Sequence, residues 1–292
     1  MKLFCLAAMA ATAAIAPSAL CAQRQESLLR DWEFSRDSVK WKNVKIPHDW
    51  AIYGPFDRNN DLQKVAVEQN GETEETWKTG RTGGLPYEGK GFYKTTFKLP
   101  DTTGRSATLL FDGAMSNATV YVNGKKVAFW PYGYNSFTAD LDGVAHPGVN
   151  TVEVSLENKP RSSRWYPGAG LYRNVHLIQT DKTHIPVWGT YITTPYVSKE
   201  YATVHLRTKI EGAQKGERVT LSTVIRNADG KEVAADTHEY KIYPEQELNQ
   251  NFVVRNPALW TPETPSLYTA TTTVTANGKV ADQYTTRFGI RS

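Results

Sequence analysis

Beyond about residue 90, apolar side chains recur at every second position. Val152, Val154 and Leu156 alternate with polar neighbours, as do Ala118, Val120 and Val122. Further on the same period carries Val204, Leu206 and Ile210, then Val219, Leu221, Thr223 and Ile225. A period of two marks strands with one face on a core and the other in water. Asn123-Gly124 and Asn277-Gly278 interrupt the pattern where two-residue hairpin turns belong, because Asn and Gly accept left-handed backbone. The spacing predicts an all-β fold, a jelly-roll β-sandwich over residues 23–181 followed by an immunoglobulin-like β-sandwich over 182–292. Two stretches break the rhythm. Residues 58–84 lack periodic apolar positions and are expected to form a long surface loop. Pro47 ends a strand pattern and places His48, Asp49 and Trp50 on a loop, where His48 and Asp49 are expected to pair.

The first 22 residues change the picture of destination. Lys2, the alanine-rich apolar run 3–15 and Leu20-Cys21-Ala22 read as a secretory signal peptide, so the chain is expected to be exported to the periplasm or the cell exterior. The apolar run is too short for a membrane span, which takes about 20 residues. Leu20 is bulky for a site at which Cys21 would be acylated. Both cysteines lie in this segment, so the mature chain has no disulfide and stability rests on burial. The chain of 292 residues has a net charge of +4, without long basic runs. Nucleic acid therefore has little to recognise.

Candidate chemistry concentrates in Ser163-Arg-Trp-Tyr-Pro-Gly-Ala-Gly-Leu-Tyr-Arg173. An arginine forks onto hydroxyls or carboxylates, and an indole face stacks on a sugar ring. The same residues also suit a packed corner with a buried Trp. The six histidines show no metal-ligand spacing and no phosphate-cradling glycine loop is present, so no cofactor or metal is expected.

This stretch resembles the end of the sugar-binding domain of family 2 glycoside hydrolases, the family of β-galactosidases, β-glucuronidases and β-mannosidases. Asp112-Gly-Ala-Met-Ser-Asn-Ala-Thr-Val-Tyr-Val-Asn-Gly124 resembles the hairpin segment of the family's first domain, and Pro47-His-Asp-Trp50 a segment near its start. Residues 256–268 and Arg287-Phe-Gly-Ile-Arg291 are similar to its second domain. The resemblance implies a β-linked oligosaccharide or glycoside as ligand. It implies sugar contacts from Arg164 with Trp165 beside it, and from Asp49 and Trp50, whereas Arg173 is expected to anchor its strand. It also implies that catalysis belongs to a following (β/α)8 barrel, where two carboxyls flank the scissile bond, one of them in an Asn-Glu pair. This sequence contains no Asn-Glu dipeptide. The barrel is therefore expected to be a missing partner and the chain to be inactive alone. The competing reading is a stand-alone carbohydrate-binding or adhesive β-sandwich protein.

Overall fold

The computed structural model describes residues 24–57, 59–60, 62–79, 89–100, 103–159, 167–244 and 246–291. Its strands are, in chain order, β1 (Gln25–Leu28), β2 (Asp31–Ser35), β3 (Lys42–Lys45), β4 (Leu62–Val65), β5 (Thr76–Thr79), β6 (Gly89–Leu99), β7 (Arg105–Phe111), β8 (Ala118–Val122), β9 (Lys125–Trp130), β10 (Phe137–Asp140), β11 (Gly148–Asn158) and β12 (Val175–Asp181). They continue with β13 (Thr190–Val197), β14 (Tyr201–Thr208), β15 (Arg218–Arg226), β16 (Glu232–Lys241), β17 (Leu248–Arg255), β18 (Tyr268–Ala276) and β19 (Lys279–Phe288). The fold is all-β, as the period of two predicts. Among the described residues no helix is long and apolar enough to cross a membrane.

The jelly roll pairs a four-stranded sheet, β1-β12-β7-β10, with a six-stranded one, β3-β2-β6-β11-β8-β9. The alternating positions meet between them: Val152, Val154 and Leu156 of β11 face Leu109 and Phe111 of β7 in one buried cluster. Rings fill much of that interior. Phe111 and Phe137 stack at 4.7 Å, and Phe34 stacks on Trp50 at 5.6 Å. Asn123-Gly124 forms the predicted hairpin between β8 and β9, both residues at positive φ.

One local expectation fails. The stretch 58–84 is not all loop, because β4 and β5 pair as a small hairpin, with a 3₁₀ turn, Glu68–Asn70, between them. Neither strand alternates in hydrophobicity, so the pattern could not reveal them. The strand after the glycines begins at Val175, just past Tyr172 and Arg173, whose side-chain anchors are described below.

The immunoglobulin-like sandwich faces β13-β14-β17 against β16-β15-β18-β19. Ala202, Val204 and Leu206 point inward from β14, and the next inward position is the fully buried Thr208, so Ile210 falls beyond the strand. The interior is divided. Thr223 Oγ1 lies 2.7 Å from Gln250 Oε1 and 2.8 Å from Thr272 Oγ1, with all three residues no more than 1% exposed. This polar bridge occupies the interior that also holds the two hydrophobic clusters.

One polar contact ties the chain's first described residue to its last strand. The carboxylate of Asp282, wholly buried, accepts from Arg24 Nη2 at 2.9 Å and Nε at 3.2 Å, and from the amide of Ile185 at 2.9 Å. Arg24 also donates to the Ile185 carbonyl and lies over the Tyr284 ring. A buried carboxylate is tolerable only with partners of this kind.

Candidate functional site

The turn that Pro47 introduces is built around His48. Its amide donates to the Leu171 carbonyl at 2.8 Å, which brings the 167–172 segment against the 47–51 turn. Its Nδ1 lies 2.7 Å from the Tyr93 hydroxyl of β6. Burial, and then the cations Lys42 and Arg36, lower the imidazole pKa to about 4. Burial likewise pushes the Tyr93 hydroxyl well above its usual range. Both groups are therefore neutral at pH 7, so the pair acts as a structural fixture.

His48 does not pair with Asp49, as the sequence had led us to expect. Asp49 instead accepts from the Ala51 amide at 2.9 Å, opening the short 3₁₀ turn Ala51–Tyr53. Tyrosine 93, distant in sequence, takes the histidine.

Glycine explains how closely the two segments approach. Gly170 has φ +91°, and a Cβ there would stand 2.7 Å from the His48 carbonyl oxygen. The backbone of Gly170 also exchanges hydrogen bonds with Met115, at 2.9 and 3.0 Å. Gly168 has φ +82° and a Cβ there would stand 3.8 Å from Asp49 Oδ2. The buried Asn158, at the end of β11, donates from Nδ2 to the Gly168 carbonyl at 3.1 Å. The two flanks of segment 160–166 are thereby held together beside the Asp49 carboxylate.

The proposed sugar-contact residues fare differently. Arg164 and Trp165 lie outside the described residues. Asp49 is half-buried at the base of their segment. Trp50 is a correction: at 1% exposure it is packed against Phe34, Gly91 and Gly170 and has no face to offer a sugar. A Cβ on Gly91 would collide with its ring, so the indole and the glycine fit as a pair. Arg173 makes the anchoring contacts expected of it, donating to the carbonyls of Asp112 and Tyr134 at 3.3 and 3.4 Å. Tyr172 Oη donates to the Gly133 carbonyl at 2.8 Å. Sequence reading missed Tyr93 and Asn158; Asn158 was visible as a polar residue ending an otherwise clean alternation.

Among the described residues the site offers the carboxylate of Asp49 and a neutral histidine. It can accept hydrogen bonds from ligand hydroxyls and can hold a loop in place.

Comparison with known proteins bears on the whole chain. The family model for glycosyl hydrolases family 2 matches residues 183–291. The chain is 36% identical to the β-galactosidase BoGH2A of Bacteroides ovatus over 259 residues, covering 86% of this chain and 28% of that protein. It is 33% identical to a putative β-glucuronidase of Formosa agariphila, covering 89% of this chain and 24% of that protein. A crystal structure of a glycosyl hydrolase family 2 member from Bacteroides cellulosilyticus superposes with a TM-score of 0.77 at 28% identity. That match covers 92% of this chain and 35% of the solved one. The chain thus spans about a quarter of the length of these curated relatives. Two β-sandwiches in this order, a loop base pinned by Gly170 and similarity along most of the sequence agree: the chain belongs to glycosyl hydrolase family 2.

Proposed function

We propose that this chain is the substrate-framing part of an exported glycoside hydrolase that acts on β-linked galactosides. The jelly roll presents Arg164 and Trp165 to the sugar, and a catalytic barrel supplied elsewhere carries the two carboxyls. The observation that carries this reading is the loop base. Asn158, Gly168 and Gly170 hold the flanks of segment 160–166 against the 47–51 turn, beside the Asp49 carboxylate. Such pinning suits a loop that must keep its side chains in register with a ligand. Similarity to a protein named as a β-galactosidase supports galactosides over glucuronides, since that relative shares more identity than the glucuronidase-named one.

The chain alone should not hydrolyse a nitrophenyl β-galactoside; turnover that persists after rigorous removal of host enzymes would overturn the division of labour. Joined to a family barrel, Arg164→Ala should lower kcat/KM by at least about tenfold while leaving thermal stability unchanged, and an unchanged kcat/KM would remove Arg164 from the site. Export is tested by the mass of the secreted chain, expected to start at Gln23; an intact Met1 would reject it.

A further inference from the structure

The outer face of the four-stranded sheet has a composition that the jelly-roll core does not require. Its register aligns Thr180 of β12 with Ser106 of β7, and Ile178 of β12 with Thr108 of β7 and Asp140 of β10. Thr138 of β10 stands two residues before Asp140 on the same face. Where bulky residues would fill the space, this strip carries small hydroxyls. Opposite it stand His184 and Pro186 of the segment joining the sandwiches and Glu211 beyond β14, and the walls enclose a cavity of about 420 Å³. That volume lies within the range of small-molecule sites, which favour junctions between domains.

The hydrogen-bonding capacity of the cavity is largely unspent. Among the described residues, the hydroxyls of Thr108, Thr138 and Thr180 and the ammonium of Lys182 make no side-chain hydrogen bond. The Asp142 carboxylate does have partners, Ser106 Oγ at 3.0 Å and the Ala107 amide at 3.1 Å. Asp140 uses one oxygen to accept from the Asp142 amide at 2.9 Å. Hydroxyls that donate and accept, next to a carboxylate and an ammonium, match a ligand whose own groups donate and accept. Ile178 and Pro186 add apolar surface for the C–H face of a ring.

Charge narrows the ligand further. Arg24 also lines the cavity, but its guanidinium is committed to Asp282. Lys182 then stands against the carboxylates of Asp140, Asp142 and Glu211. The balance is negative, which disfavours a uronic or sulfated sugar. We propose that this cleft is a saccharide site for an uncharged sugar, separate from the 158–168 loop. The Arg24–Asp282 pair holds its two walls in place, so the site is formed before the ligand arrives.

The test is titration of the purified chain with lactose and with glucuronic acid, followed by heat or by ligand NMR. Lactose should bind in the millimolar range, and glucuronic acid about tenfold more weakly or not at all. Thr138 is exposed on an edge strand, so Thr138→Trp should fold and should reduce lactose binding by about tenfold or more by occupying the cavity. Asp140→Asn, a smaller change, should weaken binding by about threefold or more. Arg164→Ala acts at the loop, so the part of the lactose binding that Thr138→Trp removes should persist in it. Three results would overturn the proposal: no lactose binding, binding indifferent to Thr138→Trp in a folded protein, or glucuronic acid binding as well as lactose.

Discussion

In the jelly roll the interior is one continuous cluster in which Phe34, Trp50, Tyr93, Phe111 and Phe137 interlock, and rings approach backbone closely enough that Gly91 and Gly170 admit no side chain. In the immunoglobulin-like sandwich two smaller clusters, one of them holding Phe252 and Tyr268, share the interior with the Thr223–Thr272–Gln250 bridge, and the glycines of two tight turns, Gly230 and Gly278, have nothing within 4 Å of an added Cβ. The described flanks of segment 160–166, Asn158 and Gly168, adjoin the first kind of packing. Large rigid rings locked by glycine fix backbone position over several residues, which a ligand-holding loop requires. The second sandwich has close approaches of its own, Gly289 against Trp260 among them, and its tolerant positions are the turn glycines Gly230 and Gly278.

The sharpest test of this contrast compares two glycines at positive φ. Gly170→Ala should destabilise by about 4 kcal/mol or more, because the new Cβ meets the His48 carbonyl and nothing there can yield. Gly230→Ala, with the same backbone handicap and open space, should cost only about 1 kcal/mol. Equal costs in urea titrations would erase the distinction.

Next in size is the joint between the sandwiches. Arg24→Met leaves the wholly buried Asp282 without its cation and should cost about 3 kcal/mol. Calorimetry should then resolve two transitions, one for each sandwich; a single unchanged transition would show that the pair does not couple them.

A smaller effect is specific to the jelly roll. Because the folded-state pKa of His48 is lowered from 6.5 to about 4, the unfolded chain takes up its proton first as pH falls. The contribution of neutral His48 is full above about pH 6.5 and is lost progressively down to about pH 4. Between pH 7 and 4.5 it should amount to about 2 kcal/mol beyond what His48→Asn shows. Parallel pH profiles for the two proteins would contradict the assignment.

The smallest effect belongs to the second interior. Gln250→Leu should cost about 1 kcal/mol, since the Thr223 and Thr272 hydroxyls keep each other as partners at 2.8 Å. Adding Thr223→Val and Thr272→Val should recover much of that loss, because no polar group is then left unpaired. A triple variant less stable than the single one would mean that the bridge contributes more than its own satisfaction.

Much of the fold was legible because β-sandwiches write their core as alternation: β11, β14 and β15 all bury the residues that the period selects. The Asn-Gly pairs were equally clear, since their chemistry is local. The candidate site was less so. Whether Trp50 is a stacking platform or a core ring depends on Phe34, Gly91 and Gly170, which lie far from it in sequence, and indole chemistry suits both roles. The choice of Tyr93 over Asp49 as partner of His48 is likewise tertiary, set by the strand that passes beneath the turn. The hairpin of β4 and β5 went unseen because strands of four residues each offer too few positions for a period.

The Arg24–Asp282 contact has a consequence for synthesis. Its partners are 258 positions apart, so the contact cannot exist until residue 282 has left the ribosome. At about 5–20 residues per second, Arg24 waits roughly 13 to 50 s for its carboxylate. During that interval strand β1 can pair with β12, yet the arginine that precedes it remains open to proteases. Trypsin should therefore cut after Arg24 in nascent chains halted before residue 282 and spare it in released ones.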